Sequence, residues 1–420
     1  MMFNTLAEWL AWQETLHTQA IDLGLCRVSR VLKRMNLPDH HTFTISVGGT
    51  NGKGSCVAML DSILRTAGYR TGTYTSPHIL RYNERICIDG KAVSDDRIMQ
   101  AFERIDKARE DTSLSFFEFG TLAALDIFSS ENIDVRILEV GLGGRLDAVN
   151  IVDANIALIA TIDIDHQEWL GHTREAIGHE KAGIFRDGRP AVIADPNVPE
   201  SVIRAAGQLG TPLYKQSHEF GFRREGDTWS WWGEGTPLTG LPLPAISGDH
   251  QLLNASAVIQ CLQLVKHEKP IAEAHVAQGL SDVQLSGRFQ FLPGEIPVLL
   301  DVAHNPQAVA ILAGHLRKYF PGIKIRAIFS VMRDKDIVSM IQQISDVVDS
   351  WYLAPLGMPR AAAPEELAEI LHNAGIHKVK QSFTNVTDAC RAARQDADPG
   401  DLLLVFGSFF LVSDYLAQVA

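Results

Sequence analysis

FTISVGGTNGKGS, residues 43–55, continued by CVAMLDSILRTAG to residue 68, is the stretch that decides the fold. FTISVGG (43–49) is an apolar run that predicts a strand, and a helical pattern follows through Ala67. Between them Gly48, Gly49, Gly52 and Gly54 crowd one short window, where 33 glycines in 420 residues would place fewer than one. Glycines let a backbone approach a phosphate closely, the following helix N-terminus aims N–H groups at it, Lys53 adds a point charge and Ser55 can ligate Mg²⁺. The strict pattern G-x-x-x-x-G-K-[ST] is not met, because position 47 is Val and Gly54 separates Lys53 from Ser55. On residues alone the competing explanation is a glycine-rich turn that binds nothing.

The same alternation continues outward. YRTGTYTS (69–76), DVRILEVG (134–141), ANIALIATI (154–162) and PAVIAD (190–195) predict further strands between helices, hence a mostly parallel sheet covered on both faces. Residues 4–35 read as helical, with Asn4 or Thr5 as cap and Pro38 as the stop. Residues 214–244, with Trp229, Trp231 and Trp232 among glycines and prolines, predict a small antiparallel excursion of structural use, and a helix follows from about Leu252 to Val265. SGRFQFLPGEIP (286–297) interrupts the pattern before PVLLDVAH, KIRAIFSVM, SWYLAPL and DLLLVFGS resume it. The expected division is an α/β domain of P-loop type over 1–287, a linker at 288–296 and a smaller Rossmann-like α/β domain over 297–420.

A chain of 420 residues with 46% hydrophobic and 21% charged residues can build such cores without disulfide or zinc staples. A net charge of −12 argues against a nucleic-acid partner, while small anions held by backbone N–H groups remain compatible. Cys26, Cys56, Cys87, Cys261 and Cys390 show no CxxC spacing, which suits a reducing compartment. With no basic leader before an apolar block and no apolar run near 18 residues, a cytoplasmic protein without a membrane partner is expected.

In open parallel sheets ligands bind beyond the carboxyl ends of strands. Ser76 and His78 fall there in TSPHILRYNERI, Glu139 closes RILE, and Asp163, Asp165 and His166 close ALIATIDIDH. Each alone is commonly a cap or an ion-pair partner; together, beyond a phosphate loop, they suggest a metal-nucleotide site. GLGGRLD (141–147) lacks G-x-G-x-x-G spacing and reads as a tight loop that turns Asp147 toward a ligand. In LLDVAHNPQA, Asp301, His304 and Asn305 follow a strand, with Pro306 opening a helix; Asp and Asn there also suit a turn and a cap.

QAIDLGL (19–25), GTNGKGS (49–55), TSPHILRYNERI (75–86), FFEFGT (116–121), LEVGLGGRLDAVN (138–150), DHQEWLG (165–171), EKAGIFR (180–186), SGRFQ (286–290), DVAHNP (301–306) and GSF (407–409) together resemble the folylpolyglutamate synthase/dihydrofolate synthase family of the Mur-ligase superfamily, nearly end to end. The resemblance implies an ATP-dependent ligase: ATP phosphorylates a carboxylate, and the amino group of L-glutamate attacks the acyl phosphate. Dihydropteroate would give dihydrofolate, and reduced folates would gain further glutamates. It implies that Gly52, Lys53, Gly54 and Ser55 hold phosphates, that Asn254, Arg288 and Asp301 complete the ATP site across the domain junction, and that Ser76, Glu139 and His166 hold Mg²⁺. Asp22, Leu23 and Gly24, Ser115, Phe116, Phe117 and Glu118, and Leu146, Asp147 and Ala148 would contact the pterin-bearing substrate. Lys181 corresponds to the lysine carried as a carbamate; by position alone it is a solvated lysine near a helix C-terminus. His304 and the Arg360 region would lie near the acyl phosphate or the glutamate. A monomer is expected, and Phe410 departs from the His of some relatives. A synthase lacking dihydropteroate activity is one alternative and a nucleotide-gated interaction module another. A cell-wall ligase is disfavoured, because about 42 residues before the phosphate strand leave no room for a UDP-sugar domain.

Overall fold

The computed structural model describes residues 3–19, 21–38 and 42–419. The chain forms two compact units, one running to Ala245 and resuming over Gln251–Gln284, the other made of Ile246–His250 and the chain from Leu285 onward.

The first unit is built on an eight-stranded sheet, in the order Lys91–Ala92, Ile86–Ile88, Thr71–Tyr74, Val135–Glu139, Phe43–Gly48, Ile156–Ile159, Ala191–Ile193, Leu213–Lys215. From Thr71–Tyr74 onward the strands are parallel, and the two edge strands before it are antiparallel. Phe43–Gly48 and Ile156–Ile159 are buried at every residue, as strands covered on both faces must be. From Phe43–Gly48 the chain first adds strands on one side and then, from Ile156–Ile159, on the other. That reversal opens a crevice at the strands' carboxyl ends.

Local sequence sets the helix boundaries. Leu6–Leu16 starts from a reciprocal Thr5–Glu8 capping box, and Phe116–Ser129 from a matching Ser115–Glu118 box. The helical stretch expected over 4–35 is two helices, Leu6–Leu16 and Cys26–Met35, with Asp22 and Gly24, both weak helix formers, in the break. The second helix stops at Asn36, in the left-handed region at φ 46°, before Pro38 is reached. Trp9 of the first helix packs on Phe102 at 5.8 Å in a tilted pair, and Phe102 meets Phe119 edge-on with centroids 5.3 Å apart.

The excursion after residue 214 is a three-stranded antiparallel sheet of Gly221–Glu225, Thr228–Trp232 and Leu238–Pro242. Strand alternation turns Trp229 and Trp231 inward, where their indole N–H groups donate to Pro242 O (2.8 Å) and Ser256 O (3.1 Å), and leaves Trp232 exposed. The helix after it is Gln251–Leu264.

The second unit carries a six-stranded sheet in the order Gln290–Leu292, Val298–Asp301, Leu402–Phe406, Ile325–Phe329, Ser350–Leu353, Val379–Lys380. Only Gln290–Leu292 is antiparallel to its neighbour. Residues 288–296, expected as a linker, therefore supply an edge strand to this sheet: Gln290, Phe291 and Leu292 pair with Leu300, Leu299 and Val298. The short apolar pattern of QFL gave no hint of a pairing partner eight residues away.

Candidate nucleotide and acceptor site

The glycine loop leaves the central strand at the crevice, and the helix Lys53–Thr66 begins within it. Gly52 is the helix cap at φ +87°, and a Cβ there would stand 2.7 Å from Asn254 Oδ1, so only glycine meets both demands. That contact brings buried Asn254 onto the loop, with its own amide donating to Gln251 Oε1 at 2.9 Å. The loop is stitched to the segment after Ile156–Ile159. Thr50 N donates to Thr161 O, Thr50 Oγ1 accepts from Asp163 N at 3.0 Å, and Thr161 Oγ1 bridges Asn51 N and O. Lys53 Nζ folds back to donate to Gly49 O (3.0 Å) and Thr50 O (3.1 Å). Ser55 lies on the buried side of the first turn.

Register places Glu139 opposite Val47, at the root of the loop. Glu139 is 4% exposed, and its Oε2 accepts from Ser76 N at 3.2 Å, so two of the expected metal ligands are neighbours. His166 caps the short helix Gln167–Leu170 from the left-handed region at φ 50°, an uncommon conformation for a non-glycine residue that turns the chain sharply here. His78 is set apart: Arg85 Nε donates to its Nδ1 at 2.9 Å, and burial followed by the Arg85 charge lowers it to about 4, leaving a neutral, structurally engaged ring. Among the described residues no three His, Cys, Asp or Glu side chains cluster as a metal cage. Glu139 and Ser76 bring a carboxylate and a hydroxyl-bearing residue together at the root of the loop, donors of the oxygen type that a hard divalent cation prefers, while His166 stands beside Asp165 on the neighbouring segment.

Lys181 is not the solvated lysine that its position near a helix end suggests. It sits on Arg174–Ala182, 3% exposed. Burial lowers its pKa to about 7, the Lys53 charge pushes the same way, and Asp165 and Asp147 oppose. The GLGGRLD loop packs on the end of this helix so closely that a Cβ on Gly144 would lie 2.9 Å from Glu180 O. Asp147 is turned inward rather than toward a ligand: its oxygens accept from Leu142 N (2.8 Å) and Val149 N (3.0 Å), and burial raises it to about 7. It shapes the loop that presents Leu146 and Ala148.

The residues expected on the acceptor side converge. Asp22 reaches Glu118 through Arg27, whose Nη1 donates to Asp22 Oδ2 (2.6 Å) and whose Nη2 donates to Asp22 O (2.9 Å) and Glu118 Oε1 (3.0 Å). Leu23 and Gly24 follow in the same half-buried segment. Ala20 of that motif lies outside the described residues. Ser115 N donates to the other Glu118 oxygen at 2.7 Å. The Phe117 ring lies against Gly141, where a Cβ would be 2.5 Å from it, joining the FFEFG and GLGGRLD motifs, and Phe116 packs edge-on to Tyr82. Arg27 and His17 were missed by motif reading. Their only signal was adjacency to the QAIDLGL segment.

In the second unit Asp301 is buried and accepts from Phe289 N (3.0 Å) and Ala303 N (2.8 Å). Burial raises it to about 6 while the Arg288 charge opposes. His304 Nδ1 meets Val302 O at 2.8 Å, and since a carbonyl only accepts, that nitrogen is the donor. Phe409 is the neighbour these residues share: Arg288 lies 5.1 Å over its ring and His304 5.8 Å away, a role not assigned from sequence. Asn305 is a helix cap, accepting from Ala308 N at 3.0 Å. Arg360 is exposed and paired with Asp334, and Phe410 is exposed.

Comparison with known proteins identifies the family and the fold. A family model of the Mur ligase middle domain matches residues 47–262, and one of the Mur ligase glutamate ligase domain matches 287–409. The chain is 40% identical over 416 residues to the dihydrofolate synthase/folylpolyglutamate synthase of Escherichia coli strain K12, covering 99% of this chain and 96% of that protein. The solved structure of E. coli FolC in complex with DHPP and ADP is similar with a TM-score of 0.93 at 39% identity, covering 99% of this chain and 98% of that one. A bifunctional folylpolyglutamate synthase/dihydrofolate synthase with Mn, AMPPNP and L-glutamate bound is similar with a TM-score of 0.91 at 42% identity, covering 99% and 98%.

Proposed function

This chain belongs to the dihydrofolate synthase/folylpolyglutamate synthase family of Mur-type ligases, and we propose that it joins L-glutamate to dihydropteroate and to reduced folates at the expense of ATP. The observation that carries the proposal is the loop Gly49–Gly52 at the sheet's reversal point, with Lys53 above it and the buried Glu139 carboxylate at its root. A carboxylate is a poor electrophile. Its oxygen attacks the γ-phosphorus and ADP leaves; the glutamate amine then attacks the acyl carbon, inorganic phosphate departs, and the nitrogen gives up a proton to leave the amide. Lys53 and the N–H groups at the start of its helix stabilise charge on the transferring phosphoryl group. Ser76, Glu139 and His166 would hold a divalent cation, Mg²⁺ in the cell, which neutralises phosphate charge.

Lys181 is the proposed carbamate. Only a neutral amine adds CO₂, and at pH 7.5 most of a group titrating near 7 is neutral, against about one part in a thousand for an ordinary lysine. Asp22, Leu23, Gly24, Ser115–Glu118, Leu146 and Ala148 are the proposed acceptor contacts, with Asp147 holding the loop that carries the last two. In the second unit, Arg288 and Asp301 are assigned to nucleotide and His304 to the glutamate step, on resemblance. The partners proposed are small molecules alone, for a monomer acting in the cytoplasm. No helix among the described residues is long and apolar enough to cross a membrane.

ADP release measured with and without dihydropteroate and glutamate tests the reaction. ADP should form only with acceptor present, faster with glutamate, and hydroxylamine should trap a hydroxamate. Acceptor-independent hydrolysis with no hydroxamate would exclude the ligase.

A further inference from the structure

We propose that Arg27 is a positioning residue for the acceptor: with His17 it holds one oxygen of Asp22, leaving the other to accept a hydrogen bond from an N–H of the acceptor's heterocycle. The inference rests on the assignment of Asp22 to the acceptor site. Asp22 Oδ2 accepts from Arg27 Nη1 at 2.6 Å and from His17 Nε2 at 3.0 Å. Because a carboxylate only accepts, His17 Nε2 carries a proton, and its Nδ1 lies 2.7 Å from Ser113 Oγ, which holds the ring in place. Asp22 is therefore gripped from both sides through one oxygen. Oδ1 has no partner among the described residues, and the side chain is 31% exposed.

The guanidinium reaches further. Its Nη2 spans Asp22 O and Glu118 Oε1, tying a segment with no regular structure to the first turn of Phe116–Ser129, and Glu118 is 3% exposed and fixed by Ser115 N. One planar fork thus sets both the backbone and the side chain of Asp22 against the helix that carries Phe116 and Phe117. A lysine could not do this, since its single ammonium cannot reproduce two parallel N–H directions. Among the described residues, moreover, Arg27 Nε is buried without a partner. An orphaned donor is a liability to stability, so this geometry is better explained by where it puts Asp22 than by the stability it confers.

A double-mutant cycle on acceptor binding tests this. Calorimetric Kd values for dihydropteroate are measured with AMPPNP present for the parent, Arg27→Ala, Asp22→Ala and the double variant. Loss of one charge-assisted hydrogen bond corresponds to about ten- to hundredfold, so each single change should weaken binding by that order. If Arg27 acts through Asp22, the double variant should be within about threefold of the weaker single one. AMPPNP affinity should not change. The proposal is overturned if Arg27→Ala leaves Kd within about twofold while Asp22→Ala weakens it, or if the two effects multiply, as independent structural losses do. If Asp22→Ala itself leaves Kd unchanged, Asp22 is no acceptor contact and the inference falls with that assignment, while AMPPNP binding still reports on the nucleotide site. Should Arg27→Ala fail to fold, Arg27→Lys takes its place in the same cycle, with the same two outcomes.

Discussion

Replacing Lys181 with methionine should stabilise the protein and abolish its reaction, and the stabilisation should depend on pH in a defined way. Below pH 7 Lys181 is protonated in both the folded and the unfolded chain, so folding must bury an ammonium. Between its ordinary 10.5 and about 7 in the folded unit, at about 1.4 kcal/mol per pH unit, that burial costs about 5 kcal/mol. As pH rises through 7 the folded lysine releases its proton while the unfolded one keeps it. Stability therefore climbs with pH until 10.5, where the cost is gone. Lys181→Met removes the titration and keeps the volume, so the variant should be the more stable by about 5 kcal/mol at pH 6.5 and by only about 1 kcal/mol at pH 9.5. Urea unfolding in CO₂-free buffer, followed by tryptophan fluorescence, is suited to the measurement. Trp9, Trp12, Trp169, Trp229, Trp231 and Trp232 all lie in the unit that holds Lys181, and Trp351 alone lies in the other. Added bicarbonate at pH 8 should raise the parent's midpoint and not the variant's, since a carbamate forms on the folded site. A stability gap that does not change with pH, or a variant less stable at pH 6.5, would refute the reasoning.

Two further changes probe the loop and the excursion. Gly52→Ala forces a side chain into the left-handed region and against Asn254, so AMPPNP binding should weaken at least about tenfold, with about 1–2 kcal/mol lost from folding; unchanged binding would remove the loop from the nucleotide site. Trp231→Ala should cost about 3–5 kcal/mol, from a buried ring and its bond to Ser256 O, with KM for ATP and acceptor unaltered; a raised KM at unchanged stability would make the excursion part of the site.

What could be read from sequence was what local chemistry dictates. The strand–glycine–helix unit at 43–66 follows from apolar patterning and backbone freedom, and both survive any tertiary context. The Trp-rich excursion was legible for the same reason, its turns and alternation being local. Long-range partnership was not legible. Nothing in QFL announces that it pairs with Val298–Leu300, and nothing in EKAG announces that Lys181 is buried. Asp147 looked poised because it follows glycines, but those glycines fold the loop so that backbone N–H groups claim its carboxylate. Arg27 carried no motif at all, and its part emerges only once residues 22 and 118 are brought together.

The resting place of Lys53 bears on how turnover begins and ends. Its ammonium does not wait in water for a phosphate; it is moored to two carbonyls of its own loop. If Lys53 is the phosphate lysine proposed above, an arriving nucleotide must swap one set of oxygens for another, and a departing one is replaced by the mooring. The lysine's contribution to affinity is then the difference between two good solvation states, far smaller than that of a bare charge meeting an anion. Such a residue can grip a transferring phosphoryl group, whose charge is momentarily larger, without making the diphosphate product slow to leave.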